Sequence, residues 1–354
     1  MSEFKGGVLR ALGWLVVLAA LLGFWMLADA AQTKVTLPER SGVLFPYYES
    51  EQLLGSVRRF HFESQSRVLH KQVQALSDAW QAYCQGDGTL DAVRKHHQQA
   101  TLAWVSLSAV VMGPMLANNT VRQVDFRPLR ENLLKRAIAT QPEGAQQMAL
   151  IGSPAKGFPA LDHLLFGNTA QAGSLACAYA VQVALDLDRT FVALDWLEPS
   201  AQLDVQLYFN QLLGGVQRLA WDGMQKPWMQ HQDAGTQGPV SWPRSDTGLA
   251  GAAWVAQWQS LRNLLMVQGG GVPDASLQVV PLEAFLRGLG QLNLADALLA
   301  ACVRADAAMA LVDTRKPASV KVAAETLQAL KATLETQVAM GLNVSIQFSS
   351  SDGD

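Results

Sequence analysis

The 354-residue sequence predicts an all-α protein made of two up-and-down helical bundles. Three observations lead there. Apolar residues recur at steps of three and four in four separate stretches, which puts one apolar stripe on each helix. Strand-type alternation is confined to "NVSIQFS" near the C-terminus, too short to define a sheet. Gly- and Pro-bearing breakers separate the helical stretches, and the longest polar one, "HQDAGTQGPVSWPRSDTG" from His231 to Gly248, divides them into two sets.

The elements follow in chain order. Lys5 and Arg10 precede an apolar run from Leu12 to Ala28, and Ala28-Asp29-Ala30 fits a small-x-small cleavage site. This layout predicts a signal peptide over 1–30 and an exported, periplasmic protein. An uncleaved N-terminal anchor is the alternative and the only membrane contact foreseen. No Cys lies near Ala30, which excludes a lipoprotein signal. The first stripe is Leu69, Val73, Leu76, Trp80 and Tyr83, and Gly86-Asp87-Gly88 ends it. Val93, His97, Ala100, Trp104, Leu107 and Val111 form the second, with Gly113-Pro114 read as its stop. Val205, Phe209, Leu212, Val216 and Leu219 form a third, and Ala323, Leu327, Leu330, Leu334 and Val338 a fourth. Amphipathic helices of this kind bury their stripes by packing antiparallel. The expected organisation is a signal peptide (1–30), an N-terminal bundle (31–225), and a C-terminal bundle with a polar tail (226–354).

Composition narrows the function. The chain is 49% hydrophobic and 16% charged with net charge −3, and removal of 1–30 leaves that charge unchanged. Such a chain folds around a core. With no basic block, nucleic acid is not an expected partner. Cys84, Cys177 and Cys302 permit one disulfide and an odd thiol in an oxidising compartment, or three buried thiols; spacing alone leaves the choice open. HExxH, GxSxG, a phosphate loop and CxxC are all missing, and the adjacent His96 and His97 cannot share a helix face. No catalytic residue, metal ligand set or cofactor is assigned.

The stretch "KGFPALDHLLFG", Lys156–Gly167, concentrates unusual residues. As plain structure it is a helix start. Gly157 supplies an unusual backbone angle, Pro159 fits the first turn, and Asp162 sits near the positive end of the helix dipole, with Leu161, Leu164 and Leu165 buried. It also resembles the signature of the imelysin family, named peptidase family M75, which includes iron-regulated periplasmic proteins. One branch carries Gly-x-His-x-x-Glu here, a proposed metal site. "GFPALDHLLF" resembles the second branch, described as predicted periplasmic lipoproteins, with the form Gly-Leu-Pro-Ala-Leu-Glu-Tyr-Leu-Leu-Phe. Further segments agree in the same order: "ALSDAWQAYCQG", "ATLAWVSLSAVVMGPM", "CAYAVQVALDL", "WPRSDTGLAGAAWVAQWQSLRNLL" and "GLNVSIQFSSSDGD". The resemblance covers roughly residues 65–354.

The resemblance implies two bundles with a cleft between them, bordered by the signature helix and the Arg-Ser segment. Carried over by position, Gly157, Pro159, Asp162, Arg244 and Ser245 are candidate binding residues. Asp125 and Arg127 of "VDFRPLR" are added as members of a polar cluster with Asp162 and Arg244. Pro159 stands at the His position and cannot ligate, so the resemblance does not carry a metal site over. Cys84–Cys177 is the implied disulfide, because both lie in family-like segments flanking the signature helix. The favoured reading is a non-enzymatic periplasmic binding or accessory protein for a small polar or anionic ligand, linked to iron or haem acquisition. A peptidase and a structural protein that meets an envelope partner are the alternatives.

Overall fold

Helix caps and turns follow directly from local sequence. A computed structural model describes residues 37–40, 42–167, 170–196, 204–235 and 238–346. The expected signal peptide and the tail after Ile346 lie outside them. α1 (Ser50–Val57) continues through a π-helical Arg58–Glu63 into α2 (Ser64–Gln85). Gly86, at φ +91°, ends α2 in the left-handed conformation that favours glycine. Thr89 Oγ1 accepts the Ala92 amide and starts α3 (Leu90–Leu107). Short helices α4 (Gly113–Ala117), α5 (Thr120–Val124), α6 (Glu131–Thr140), α7 (Gly144–Ala149) and α8 (Gly157–Asp162) follow. α8 runs into a π-helical His163–Gly167. α9 (Leu175–Val192) is capped by the Ser174 hydroxyl, which accepts the Cys177 amide.

α10 (Val205–Gln217), capped by Asp204, passes through a π-helical Arg218–Gln225 into α11 (Lys226–Asp233). Position 225/226 therefore falls inside one continuous helical run. α12 (Ala250–Leu265), α13 (Leu282–Gly288), α14 (Leu292–Ala310), α15 (Pro317–Thr333), a π-helical Leu334–Val338 and α16 (Ala339–Gly341) complete the fold. Among the described residues there is no strand, and residues 343–346 of the "NVSIQFS" segment are irregular. The fold is all-α.

The stripes are where the spacing places them. Leu69, Val73, Leu76 and Trp80 are fully buried, as are Leu212, Val216 and Leu219, and Ala323, Leu327, Leu330, Leu334 and Val338. α2, α3 and α9 pack together with α8 against α9; α10, α12, α14 and α15 form the second helical group. α3 packs on α12, and residues 39–354 are one compact unit. At this seam Ser260 Oγ donates to Ser106 O at 2.6 Å and Arg218 Nη2 to Ala109 O at 3.1 Å. Cys84 at the end of α2 and Cys177 in the first turn of α9 form a disulfide; Cys302 is free and buried. Arg40 ties the start of the unit to α13, its Nε 3.2 Å from the fully buried Glu283, which also accepts Arg287 Nε at 2.9 Å.

At one breaker the structure differs from the expectation. Gly113-Pro114 does not stop α3, which already ends at Leu107, where the Ser108 hydroxyl turns back to Trp104 O. The pair opens α4 instead, because a proline in the first turn forfeits no hydrogen bond. Val111 accordingly lies beyond its stripe.

Candidate functional site

Two π-helical segments, His163–Gly167 and Arg218–Gln225, border a cleft of about 860 Å³. Helical turns of this type carry one extra residue and often mark functional sites. The first helical group contributes Trp104, Asp125, Arg127, Pro159, Asp162 and His163 to the walls. The second contributes Arg218, Lys226, Trp242, Arg244, Asp246 and Trp254.

A chain of alternating charges runs along the wall. His97 Nε2 lies 2.8 Å from Asp162 Oδ1. Arg127 Nη2 donates to Asp162 Oδ2 at 2.6 Å, and its Nε donates to Asp125 Oδ1 at 3.0 Å. Asp125 Oδ2 accepts both Trp104 Nε1, at 3.0 Å, and Arg244 Nη2. The surroundings are largely aromatic. His97, fully buried, sits edge-on to Phe158 and Phe166, and Trp104 stacks on Phe158. Burial by itself would raise the Asp162 carboxyl. The contact with His97 and the charge and hydrogen bond of Arg127 outweigh it and hold the group below the ordinary carboxylate value. Arg127 is affected in the complementary sense: burial disfavours its charge, and Asp125 and Asp162 more than compensate.

Local backbone explains the placement. Gly157, at φ +76°, allows the start of α8 to press on the end of α5; an added Cβ would lie 2.2 Å from Val124 O. Any side chain there would push the signature helix off the loop that carries Asp125 and Arg127. The Arg127–Pro128 peptide is cis. Arg244 is itself at φ +64°, directly before the turn Ser245–Thr247, and Thr247 Oγ1 donates to its carbonyl at 2.9 Å. A non-glycine residue held in this region is strained, and such strain tends to cluster at working sites.

Of the seven candidate residues, Asp125, Arg127, Pro159, Asp162 and Arg244 line the cleft. Gly157 supports it from behind. Ser245 is not part of the wall; its amide donates to Trp242 O at 3.0 Å and shapes the turn. Two details differ from the sequence reading. Asp162 is the last residue of α8, not part of its first turn, so side-chain partners and not the dipole stabilise its charge. Asp162 and Arg244 do not pair directly; Arg127 and Asp125 stand between them. His97 escaped the sequence reading as a site residue. Its signal was a titratable side chain on an otherwise apolar stripe, which must find a polar partner once buried.

The residues do not fit a metal as they are arranged. Pro159 offers no donor, and Asp162 Oδ2 is taken up by the Arg127 guanidinium. Among the described residues no group of three or more His, Cys, Asp or Glu is placed to hold an ion.

Comparison with known proteins agrees with this architecture. The structure is similar to that of an imelysin-like protein from Psychrobacter arcticum 273-4, with a TM-score of 0.67 and 20% identity over 86% of this chain and 100% of the other. It is also similar to a structure from Parabacteroides distasonis ATCC 8503 that carries the name iron-regulated protein A precursor. There the TM-score is 0.64 with 13% identity, over 84% of this chain and 96% of the other. No curated protein matches the sequence. The family model Peptidase M75, Imelysin, matches residues 64–337, and by that match, which takes in the signature helix, its charged partners and the second helical group, the chain belongs to the imelysin family.

Proposed function

We propose that the protein is an exported, non-enzymatic binding or accessory protein whose cleft holds a small ligand bearing a carboxylate or a similar oxyanion. The observation that carries this reading is the Asp162–Arg127–Asp125–Arg244 chain along a cleft lined by both helical groups. Its carboxylates are already paired with guanidinium groups, and Asp162 is held ionised, which makes it a weak proton acceptor. Arg244 gives Asp125 one of its five N–H groups, and its buried Nε has no hydrogen-bond partner. A buried donor without an acceptor is costly, so an incoming oxyanion that draws Arg244 toward the cleft gains a planar, charged donor.

Export rests on the N-terminal pattern, which lies outside the described residues. Among those described, no helix is long and apolar enough to cross a membrane. The link to iron rests on the name of the Parabacteroides protein, which is called iron-regulated; haem, an iron compound that carries two carboxylates, is the ligand to try first.

The test is calorimetric titration of residues 31–354 with haem, citrate, and ferrous, ferric, zinc and copper ions. Haem or citrate is expected to bind, and Arg244→Ala to weaken it by at least about tenfold, roughly 1.4 kcal/mol, the low end for a hydrogen bond to a charged group. If none of these binds, the protein is better read as a structural partner in the envelope. N-terminal sequencing of the exported protein is expected to begin near Ala31; Met1 or Ser2 on membrane-bound material would replace cleavage by an anchor.

A further inference from the structure

We propose that the cleft ligand is zwitterionic, an α-amino acid with an aromatic or other apolar side chain: Arg244 takes its carboxylate, Asp246 its ammonium group, and Trp242 and Trp254 its side chain. This rests on the preceding reading, that the cleft holds an oxyanion, and supplies the ligand's second charged group. The starting point is the charge that the wall leaves over. Asp125, Asp162, Arg127 and Arg244 are engaged with one another. Glu131, Lys226 and Asp246 also line the cleft, are exposed, and make no ion pair among the described residues. A wall with unpaired groups of both signs complements a ligand that carries both. A simple anion would meet Glu131 and Asp246 as like charges, which disfavours it.

One turn brings the three contacts together. Trp242, Arg244 and Asp246 alternate in "WPRSD", and all three line the cleft. The turn is held by its own backbone: the Ser245 amide donates to Trp242 O at 3.0 Å and the Gly248 amide to Ser245 O at 2.9 Å. Trp242 Nε1 donates to Thr314 O at 2.9 Å, which fixes the ring. The Arg244 side chain is only 10% exposed, and its Nε has no acceptor. Asp246, two residues on, is exposed and offers its carboxylate. An α-amino acid carries its ammonium and carboxylate groups on one carbon, within reach of two opposite side chains on one turn. The two ends of a longer peptide suit this spacing less well, since they separate by about 3.3–3.6 Å per extended residue. The apolar part of the ligand has a surface beside these groups. Trp254 meets Trp242 edge-on at 5.4 Å, and Gly223 puts no side chain over it; an added Cβ would lie 3.2 Å from Trp254 Nε1. Two fixed aromatic rings next to a few convergent polar groups are the usual make-up of a small-molecule site.

The test compares amino acids with the same molecules stripped of the ammonium group. Wild type, Asp246→Asn and Arg244→Ala are titrated calorimetrically with L-phenylalanine against 3-phenylpropionate, and with L-leucine against 4-methylpentanoate. Wild type is expected to bind at least one of the amino acids at least about fivefold more tightly than its deaminated partner, the upper range for an ion pair that stays partly in water. Asp246→Asn is expected to bring that pair within about twofold of each other without weakening the deaminated acid, and Arg244→Ala to weaken both members. Asp246 is exposed and makes no ion pair, so its substitution is expected to leave Tm unchanged, which is measured alongside. Wild type that binds neither amino acid, or neither more tightly than its partner, overturns the proposal, as does a preference that survives Asp246→Asn. Binding of haem, citrate or the deaminated acids in those cases leaves the oxyanion reading standing. Amino-acid binding that Arg244→Ala does not weaken overturns both.

Discussion

Replacing Asp162 takes a shared acceptor from His97 and Arg127 at once. His97 loses its carboxylate inside an aromatic wall, while Arg127, whose side chain is about a third exposed, keeps Asp125, so Asp162→Ala is expected to lower stability by about 1–3 kcal/mol, the cost of leaving a buried polar group without its partner, measured by urea unfolding at pH 7. The pH dependence has a fixed sign. The native carboxyl is held below its unfolded value of about 3.9. Its stabilisation is therefore complete above that value and is lost as pH falls through the lower native one, so the gap between wild type and variant should narrow below about pH 4. His61 acts in a different window. Burial lowers its pKa to about 4, from an ordinary 6.5, and its Nε2 has no partner. The unfolded chain takes up the proton first, so wild type is expected to lose on the order of 3 kcal/mol between pH 6.5 and 4. That loss should disappear in His61→Leu, and a flat wild-type profile over this range would contradict it. At this scale the sequence was partly legible. The identities of Asp125, Arg127, Asp162 and Arg244 as cleft residues could be read, but their order along the charge chain could not. That order depends on which side chains meet across α3, α8 and the 125–128 loop, and on a histidine whose stripe position looked merely structural.

Elements were read best where one period or one rigid residue decides the outcome. The stripe from Leu69 to Trp80 is buried because a 3.6-residue repeat allows no other face to point inward. Gly113-Pro114 misled because proline is compatible with both the end of one helix and the start of the next, and only the position of Ser108 distinguishes them. The π-helical turns at 163–167 and 218–225 have no local signature; they arise where packing forces an extra residue into a helix, so the cleft walls could not be drawn from periodicity. The disulfide belongs to this scale as well. Cys84 and Cys177 tie the end of α2 to the start of α9 across 93 residues of sequence. Closing so long a loop restricts the unfolded chain, and Cys84→Ser is expected to cost about 2–5 kcal/mol. Thermal melts of wild type with and without reductant should show the same loss, whereas a variant as stable as wild type would mean that the bond adds nothing.

The cleft exists because two helical groups meet on one side and stand apart on the other. The seam where they meet can be tested at a single atom. Gly214 and Gly215 are neighbours in α10, and alanine is the better helix former at either by roughly 1 kcal/mol. Local propensity thus predicts that both Gly→Ala changes stabilise. The surroundings predict a split. A Cβ at Gly214 would meet only the end of the Arg218 side chain, at 3.2 Å, which can move aside. A Cβ at Gly215 would lie 2.2 Å from the carbonyl oxygen of Ala109 and 2.8 Å from Leu261 Cδ2. The first is backbone just beyond α3 and the second is core of α12, so relief requires the groups to separate. Gly215→Ala is therefore expected to lose about 1–3 kcal/mol, the usual cost of overpacking, while Gly214→Ala is neutral or stabilising. The same Ala109 carbonyl accepts Arg218, a residue of the cleft wall, and a Cβ at Gly214 presses on that same guanidinium, so both changes are expected to weaken whatever ligand wild type binds, and only Gly215→Ala to cost stability as well. Urea unfolding and ligand titration of the two variants side by side decide the matter: equal stability of both would show that the seam yields without cost, and the cleft could not then owe its shape to it.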